Sequence, residues 1–325
     1  MARSSLALRI FRGIKEKYQS IDELKSLTGL IALFAAAAVF TPKFYLPQNL
    51  MMLLGQMSVM ATSAIGEAFV ILTGSIDLSV GSIIGLANVV SAILISQYNF
   101  SPYMALFTVM VIGGFIGLVN GVCVSKLKIP SFVVTLATLT IVRGAAYLIS
   151  GGLNIPVYNE QFLALNEVLY GVPIIFWIYF TSLIAILIFF ETTRLGLYTR
   201  AVGSNEIAVR NLGVDNDGIK NLAFTVSGLY SALAGFMLGV RLGAGYPHSG
   251  IGYELDVIAA VVVGGVALTG GSGSLIATFI GAMIMTSILN IMVLAGIGAF
   301  VQYVVRGVVL LLAALAMRRA GVIVK

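Results

Sequence analysis

The sequence contains few charged residues, one cysteine and one histidine. Asp, Glu, Lys and Arg make up 10% of its 325 residues, whereas 59% are apolar and the mean hydropathy is +1.04. These values exclude an ordinary soluble globular domain. Cys123 has no second cysteine with which to form a disulfide within one chain. Cys123 and His248 together cannot supply a metal site, and we assign no chemistry to His248, which we expect in an exposed loop.

Motifs of nucleotide-binding and hydrolytic enzymes are also missing from the sequence. No G-x-x-x-x-G-K-[ST] segment is present, and TGGSGS (269–274) lacks the lysine that such a phosphate-binding loop requires. Neither H-E-x-x-H nor G-x-S-x-G occurs. The sequence therefore predicts a chain with no enzyme activity and no cofactor of its own.

What the sequence does contain is a series of long apolar runs. A membrane-crossing helix needs roughly 20 mostly apolar residues, and transmembrane barrels show shorter alternating segments instead. The pattern predicts an all-α polytopic membrane protein with about ten transmembrane helices. We expect them at 27–40, 50–72, 78–96, 103–124, 131–149, 172–190, 219–240, 255–268, 275–294 and 300–317. The eighth run has 14 residues and is either a tilted short span or a half-helix.

The basic residues predict how the chain is oriented. With the N-terminus inside, fifteen of the nineteen Lys and Arg residues fall on the cytoplasmic side, in accordance with the positive-inside rule. Both termini are then cytoplasmic. This predicts a cytoplasmic N-terminal helix (1–26), a single transmembrane domain (27–317) and a cytoplasmic tail (318–325). Because these residues lie in short segments between apolar runs, nucleic acid is excluded as a partner.

The longest polar segment after the N-terminus, 191–220, has the signals of a short surface helix. Ser204 or Asn205 can cap it, Glu206 and Arg210 are spaced for an i,i+4 ion pair, and Gly213 suits the position after its end. A capped amphipathic helix held between two spans is a lever that a soluble partner can push. Its candidate coupling residues are Gly203, Ser204, Asn205, Glu206, Ala208, Arg210, Leu212 and Gly213.

Several ionisable residues fall inside or between the apolar runs, where such residues usually face a bundle interior or a wet cavity. The segment LTGSIDLSVGS (72–82) joins two spans and contains one carboxylate. It can mark a pathway or hinge, or its side chains can merely cap the third span, and these roles are compatible. The candidate pathway or hinge residues are Glu67, Asp77, Ser79, Gly81 and Ser82. The candidate intramembrane charge partners are Arg143, Arg306, Glu254 and Asp256.

Four segments resemble a known family. SIDLSVGS (75–82), KIPSFVVTLATLTIVRGAAYLISGG (128–152), GLYTRAVGSNEIAVRNLGV (196–214) and GYELDVIAAVVVGGVALTGGSGS (252–274) are similar to permease subunits of bacterial ABC sugar importers. The closest class handles ribose, xylose, arabinose and galactose. The resemblance extends in order over nearly the whole chain. One departure is Glu67, where the family pattern leads us to expect an uncharged residue such as Met or Gln.

The resemblance implies a fold like that of type II ABC importers in the bacterial inner (plasma) membrane. It implies a second permease copy, most simply as a homodimer, and a periplasmic or extracellular sugar-binding protein. It also implies a cytoplasmic ATPase that holds ATP and Mg and acts on residues 203–213. The expected function is import of a pentose or hexose by alternating access.

Two other functions remain open from the sequence. Glu67 and Asp77 could serve an ion-coupled secondary transporter of a small polar solute. An ABC permease for a non-sugar solute, such as an autoinducer, a polyol or a nucleoside, would show the same spans. An intramembrane enzyme is disfavoured because no nucleophile and base are paired in the sequence.

Overall fold

The computed structural model describes residues 26–319, and nearly all of them lie in helices or in the short turns between helices. The N-terminal helix expected over 1–26, apart from Ser26, and the tail beyond 319 lie outside the described residues. The helices are α1 (Ser26–Phe40), α2 (Pro47–Leu72), α3 (Val80–Ser96), α4 (Pro102–Ser125), α5 (Ser131–Ser150), α6 (Glu160–Ala164), α7 (Ile174–Thr192), α8 (Arg194–Ser204), α9 (Glu206–Asn211), α10 (Asn216–Leu242), α11 (Tyr253–Val263), α12 (Leu275–Leu294) and α13 (Ala299–Arg319).

Six of these helices are long and apolar enough to cross a membrane: α2, α4, α5, α7, α10 and α12. α1, α3 and the part of α13 at Ala299–Ala313 are apolar but have fewer than 18 residues. α12 has the predicted bounds, 275–294. α10 is longer than predicted at both ends because Asp215 caps it by accepting from Gly218 N, and Gly243, at φ +64°, terminates it.

α2 and α10 form the centre of the bundle, with 89% and 83% of their most apolar windows buried. α10 packs most extensively against α4, through the glycines that repeat every four residues at 113, 117 and 121. A Cβ at Gly117 would lie 2.9 Å from the Phe224 carbonyl carbon, and one at Gly121 would lie 2.8 Å from Asn221 Cα. The glycine repeat therefore lets the two backbones touch, as small residues do between membrane helices.

Two pairs of short strands tie the loops together. β1 (Ile155–Pro156) pairs antiparallel with β4 (Ala244–Gly245), and β2 (Val168–Leu169) pairs antiparallel with β3 (Val172–Pro173). The β2–β3 turn has positive φ angles at both of its central residues, Tyr170 (+52°) and Gly171 (+77°), as tight two-residue hairpins require.

Residues 243–252, after α10, run along α3 as a two-residue strand followed by turns instead of forming a helix. Asn88 in α3 donates from Nδ2 to the Ala244 carbonyl (3.1 Å), and its Oδ1 accepts from Tyr246 N (2.6 Å). Further along, Gly250, at φ +76°, packs against the first turn of α3. Non-helical backbone is tolerated inside a membrane protein where side chains satisfy its polar groups.

α11 begins only after this non-helical segment and covers 11 residues, Tyr253–Val263. The predicted run 255–268 therefore begins two residues late and extends five residues too far. The glycines that follow take positive φ angles, +96° at Gly265 and +83° at Gly270, which α-helical geometry does not allow.

α2 ends and α12 begins at the same end of the bundle. The amide of Gly271 donates to the Leu72 carbonyl (3.0 Å), which brings the turn after α2 against the turn before α12. We call this the junction end. LTGS (72–75) and TGGSGS (269–274) are neighbours at this end.

Candidate functional site

Asp77 is the centre of a buried hydrogen-bond network between α2, α3 and α10. Its side chain is fully buried and accepts three hydrogen bonds. Oδ1 accepts from the amide (2.9 Å) and the hydroxyl (2.5 Å) of Ser79, and Oδ2 accepts from the hydroxyl of Ser227 (2.9 Å). Every donor is neutral, so the carboxylate is held by dipoles and not by a basic side chain.

The network continues into α4 and α5. Asn120 donates from Nδ2 to the Ser79 hydroxyl (3.0 Å) and accepts at Oδ1 from Thr138 (2.6 Å). Ser131 accepts from the amide of Ile76 (3.2 Å), which fixes the start of α5 against the turn. Five elements therefore meet around the segment 73–79, in accordance with its expected position between two spans.

Glu67 lies beside Asp77 and shares this environment. It is fully buried in α2, and its Oε1 accepts from the Asp77 amide (3.1 Å). Its Oε2 accepts no hydrogen bond within residues 26–319. An amide oxygen could replace Oε1 as the acceptor, so the hydrogen bond itself does not require a charge at position 67.

The side chains do not cap α3 in the expected manner. Ser79 occupies the N-cap position, but its hydroxyl accepts no hydrogen bond from the first turn. Asp77 binds the amide of Ser79 itself, which lies before the first helical residue. The hydroxyl of Ser82 instead donates to the Ser79 carbonyl (2.8 Å). The capping role is therefore wrong in detail, and the carboxylate organises the turn that precedes the helix.

Replacing Asp77 should separate the effect of shape from the effect of charge. Asp77→Asn keeps one acceptor for Ser79, and Ser227 can rotate its hydroxyl to accept from the new amide, so we expect a loss of at most about 1 kcal/mol. Asp77→Leu leaves these buried donors unpaired and should cost about 3 kcal/mol or more. Thermal unfolding of the purified variants measures both. Equal loss from the two substitutions would contradict the network as described.

Arg143 connects α5 to the non-helical segment 243–252 and to α3. Its Nη1 donates to the carbonyls of Pro247 (3.2 Å) and Ser249, and its Nη2 donates to the carbonyl of Gly81 (3.0 Å). It forms no ion pair with Glu254 in the described part of the chain. Arg143 therefore satisfies backbone carbonyls instead of neutralising an acid, and Gly81 takes part through its carbonyl.

Arg306 is the second predicted intramembrane cation, and it does have an acidic partner. Its Nη1 lies 2.9 Å from Oδ2 of Asp256, whose side chain is only 1% exposed. Glu254, two residues earlier, accepts from the amide of Gly252 (3.3 Å) at the start of α11. Of the four predicted charge partners, the structure pairs Arg306 with Asp256 directly.

The segment 191–220 forms two helices, α8 and α9, where one short helix was expected. Asn205 caps α9 by accepting from Ala208 N (3.0 Å), and Ser204 closes α8. Glu206 binds Arg210 (3.4 Å) as expected and also Lys220 in α10 (2.6 Å).

The outward side of α9 and the residue after it expose apolar side chains beside the polar Arg210 and Asn211. Leu212 is 82% exposed, Ile207 is 75% exposed and Ala208 is also exposed, whereas Val209 is buried against α8 and α10. Gly213 follows at φ +79°, in the position predicted for it just after the end of the short helix.

The end of α8 touches the junction end of the bundle. A Cβ at Gly203 would lie 2.5 Å from Gly271 N and 3.0 Å from the carbonyl carbon of Leu72, and Gly271 packs equally closely on Ser204. We call these contacts between Leu72, Gly203 and Gly271 the glycine junction. It joins the α8–α9 segment to the turns that end α2 and precede α12.

Sequence reasoning missed several polar residues that the structure adds to the site. Asn120 and Ser227 extend the Asp77 network, and Arg241 lines the same cavity as Asp256. Asn120 stands alone in an apolar run, and polar residues in spans are candidates by default. That signal could have identified it.

The sequence has relatives along almost its whole length. Residues 49–314 match the family model described as branched-chain amino acid transport system / permease component. The ribose import permease protein RbsC of Escherichia coli strain K12 is 37% identical over 299 residues, which cover 90% of this chain and 92% of the relative. The L-arabinose transport system permease protein AraH of the same strain is 39% identical over 293 residues, covering 90% and 89%. The L-arabinose ABC transporter permease protein AraH of Azospirillum brasilense is 34% identical over 299 residues, covering 92% and 88%. No solved structure matches the chain.

Proposed function

Because the chain belongs to the branched-chain amino acid transport system / permease component family, we propose that it carries a monosaccharide across the bacterial inner membrane. The chain is the permease subunit of an ABC importer and not an enzyme. The observation that carries the choice of a sugar is the near full-length similarity to permeases named for ribose and L-arabinose.

We propose ten crossings with both termini in the cytoplasm. The six long helices supply six crossings, and α1, α3 and α13 supply three more. The tenth consists of the non-helical segment 243–252 followed by α11. The junction end, with α8 and α9, is then cytoplasmic. The loops at the junction end contain more basic residues than the loops at the opposite end, which supports this orientation.

The exposed apolar side of α9 is the proposed docking site of the partner ATPase, which would hold ATP and Mg. Ile207 and Leu212 have no packing partner that requires them to be apolar within the described chain, and both protrude from the junction end. Glu206 binds Lys220, whose side chain is only 14% exposed, so the helix is attached firmly to α10. A push on α9 then reaches α2 and α12 through the glycine junction.

A second copy of the chain is proposed to pack beside α5 and α13, and a sugar-binding protein to deliver the solute at the opposite end. Polar groups lie between these two helices: Tyr147 bonds His248 (3.0 Å), and Glu254 is partly exposed. Such groups suit a wet pathway between two protomers better than contact with lipid. Glu67, Asp77, Ser79, Gly81 and Ser82 would shape the inner part of this pathway.

Reconstitution tests the proposal. The permease, its ATPase and its binding protein are placed in proteoliposomes and offered radiolabelled D-ribose, D-xylose, L-arabinose or D-galactose. We expect uptake of at least one sugar that requires ATP and the binding protein. Uptake driven by a proton or sodium gradient without ATP would instead identify an ion-coupled transporter. The observation that favours this alternative is the burial of Glu67 and Asp77. Absence of uptake of all four sugars would contradict the sugar assignment.

A further inference from the structure

A polar cavity lies within the protomer, among α2, α10, α11, α12 and α13. Its volume is about 210 Å³, the space of roughly seven water molecules at about 30 Å³ each. The polar side chains that line it are Gln56, Arg241, Tyr253, Asp256, Thr286, Gln302 and Arg306. Each of the five helices contributes at least one lining residue, so the cavity depends on the packing of the whole bundle.

Three groups in the cavity have unused hydrogen-bonding capacity. Arg241 is half-buried, and its guanidinium makes no hydrogen bond or ion pair within residues 26–319. The buried Nε of Arg306 donates to none of the described residues. Asp256 is 1% exposed and pairs through Oδ2 with Arg306, while its Oδ1 accepts no hydrogen bond from the described residues. Leaving the buried Asp256 Oδ1 and Arg306 Nε unsatisfied is costly, so a functional partner is expected there.

The combination of groups identifies the class of ligand. An apolar ligand would leave the two guanidinium groups and the carboxylate unpaired. A simple anion would use Arg241 but would be repelled by the free oxygen of Asp256. A polyhydroxylated solute satisfies both, since each hydroxyl donates and accepts. The amides of Gln56 and Gln302 also donate and accept, and the ring of Tyr253 offers an apolar face.

We propose that this cavity is a binding site for a single monosaccharide within each protomer. The inference rests on the proposed function, and it adds a sugar site inside each protomer beside α13, the helix that also borders the proposed pathway between the two copies. Arg241 and Asp256 Oδ1 bind hydroxyl groups from opposite sides, and Arg306 holds Asp256 in place. The volume suits a pentose or a hexose and is too small for a disaccharide.

Protection of an introduced cysteine tests occupancy directly. Cys123→Ser removes the single native thiol, and Gln302→Cys then places one thiol in the cavity. In the purified complex, D-ribose, D-xylose, L-arabinose and D-galactose are each tested for slowing the reaction of this thiol with a small thiosulfonate. We expect the transported sugar to slow labelling at least threefold. Gln97→Cys, at an exposed site after α3, is the matched control and should react equally with and without sugar.

Uptake measurements supply an independent test. Arg241→Gln should reduce sugar uptake about tenfold, the loss expected from one charge-assisted hydrogen bond. ATPase binding and thermal stability should not change. Lys43→Gln removes a basic residue at the same end of the bundle but outside the cavity, and it should leave uptake unchanged.

The outcomes separate the two proposals. Unmodified complex that imports a sugar, with no protection of Gln302→Cys by that sugar, overturns the cavity site and leaves the proposed function standing. Normal uptake by Arg241→Gln does the same. If the unmodified complex imports none of the four sugars, both proposals fall together.

Discussion

A chain with Ile207→Asp and Leu212→Asp is expected to lose ATP-driven uptake completely while still folding. Both side chains are more than two-thirds exposed, so the permease alone loses no internal packing. In the complex the same positions would place two carboxylates in an apolar contact with the ATPase, and each buried unpaired charge costs several kcal/mol. Co-purification of the ATPase with the permease measures the loss.

Tyr170→Asp is the control for that double variant. Tyr170 is 89% exposed in the β2–β3 turn, at the opposite end of the bundle, and Asp tolerates its positive φ. We expect normal ATPase binding from it. If the double variant retained the ATPase as well as this control does, α9 would not be the docking site.

Gly203→Leu is expected to have the second large effect, because it forces open the glycine junction. The new side chain would overlap the backbone of Leu72 and Gly271, which cannot rotate away as a flexible side chain can. We expect a loss of about 3 kcal/mol, at the upper end for overpacking. We also expect fewer sugar molecules imported per ATP hydrolysed, since α8 no longer seats on the ends of α2 and α12.

Gly298→Leu provides the matched substitution. No atom lies within 4 Å of a Cβ at Gly298, and its φ is not in the left-handed region. Its thermal midpoint and its ratio of uptake to hydrolysis should equal those of the unmodified chain. A Gly203→Leu variant with an unchanged ratio would show that motion passes from α9 to the bundle by another route.

The helices could be predicted from the sequence because hydropathy is a local property. The bounds of α12 are as predicted, and those of α5 differ by one residue. The hydropathy pattern predicts the wrong bounds for α11, because the apolar residues continue past the helix end at Val263. Glycine backbone angles, and not side-chain polarity, end that helix, and no average over a window of residues detects them.

The candidate site was predictable as a set of residues but not as a set of contacts. Glu67, Asp77 and Ser79 do lie together, and Arg306 does pair with Asp256. Arg143 could equally have been assigned to a carboxylate, and only the fold shows that it binds carbonyls. The cavity at Arg241 was not foreseen, because its lining comes from helices far apart in the chain.

The non-helical segment 243–252 before α11 has a consequence for how the protein enters the membrane. An eleven-residue helix that begins with two carboxylates is too short and too polar to partition into lipid by itself. The carbonyls of Pro247 and Ser249, in the segment before this helix, accept from the guanidinium of Arg143, which lies in a helix synthesised earlier. On the proposed ten-crossing topology, we expect this part of the chain to enter the membrane only against α3 and α5, so that insertion and tertiary folding are one event for this stretch. The long helices, in contrast, can insert one at a time.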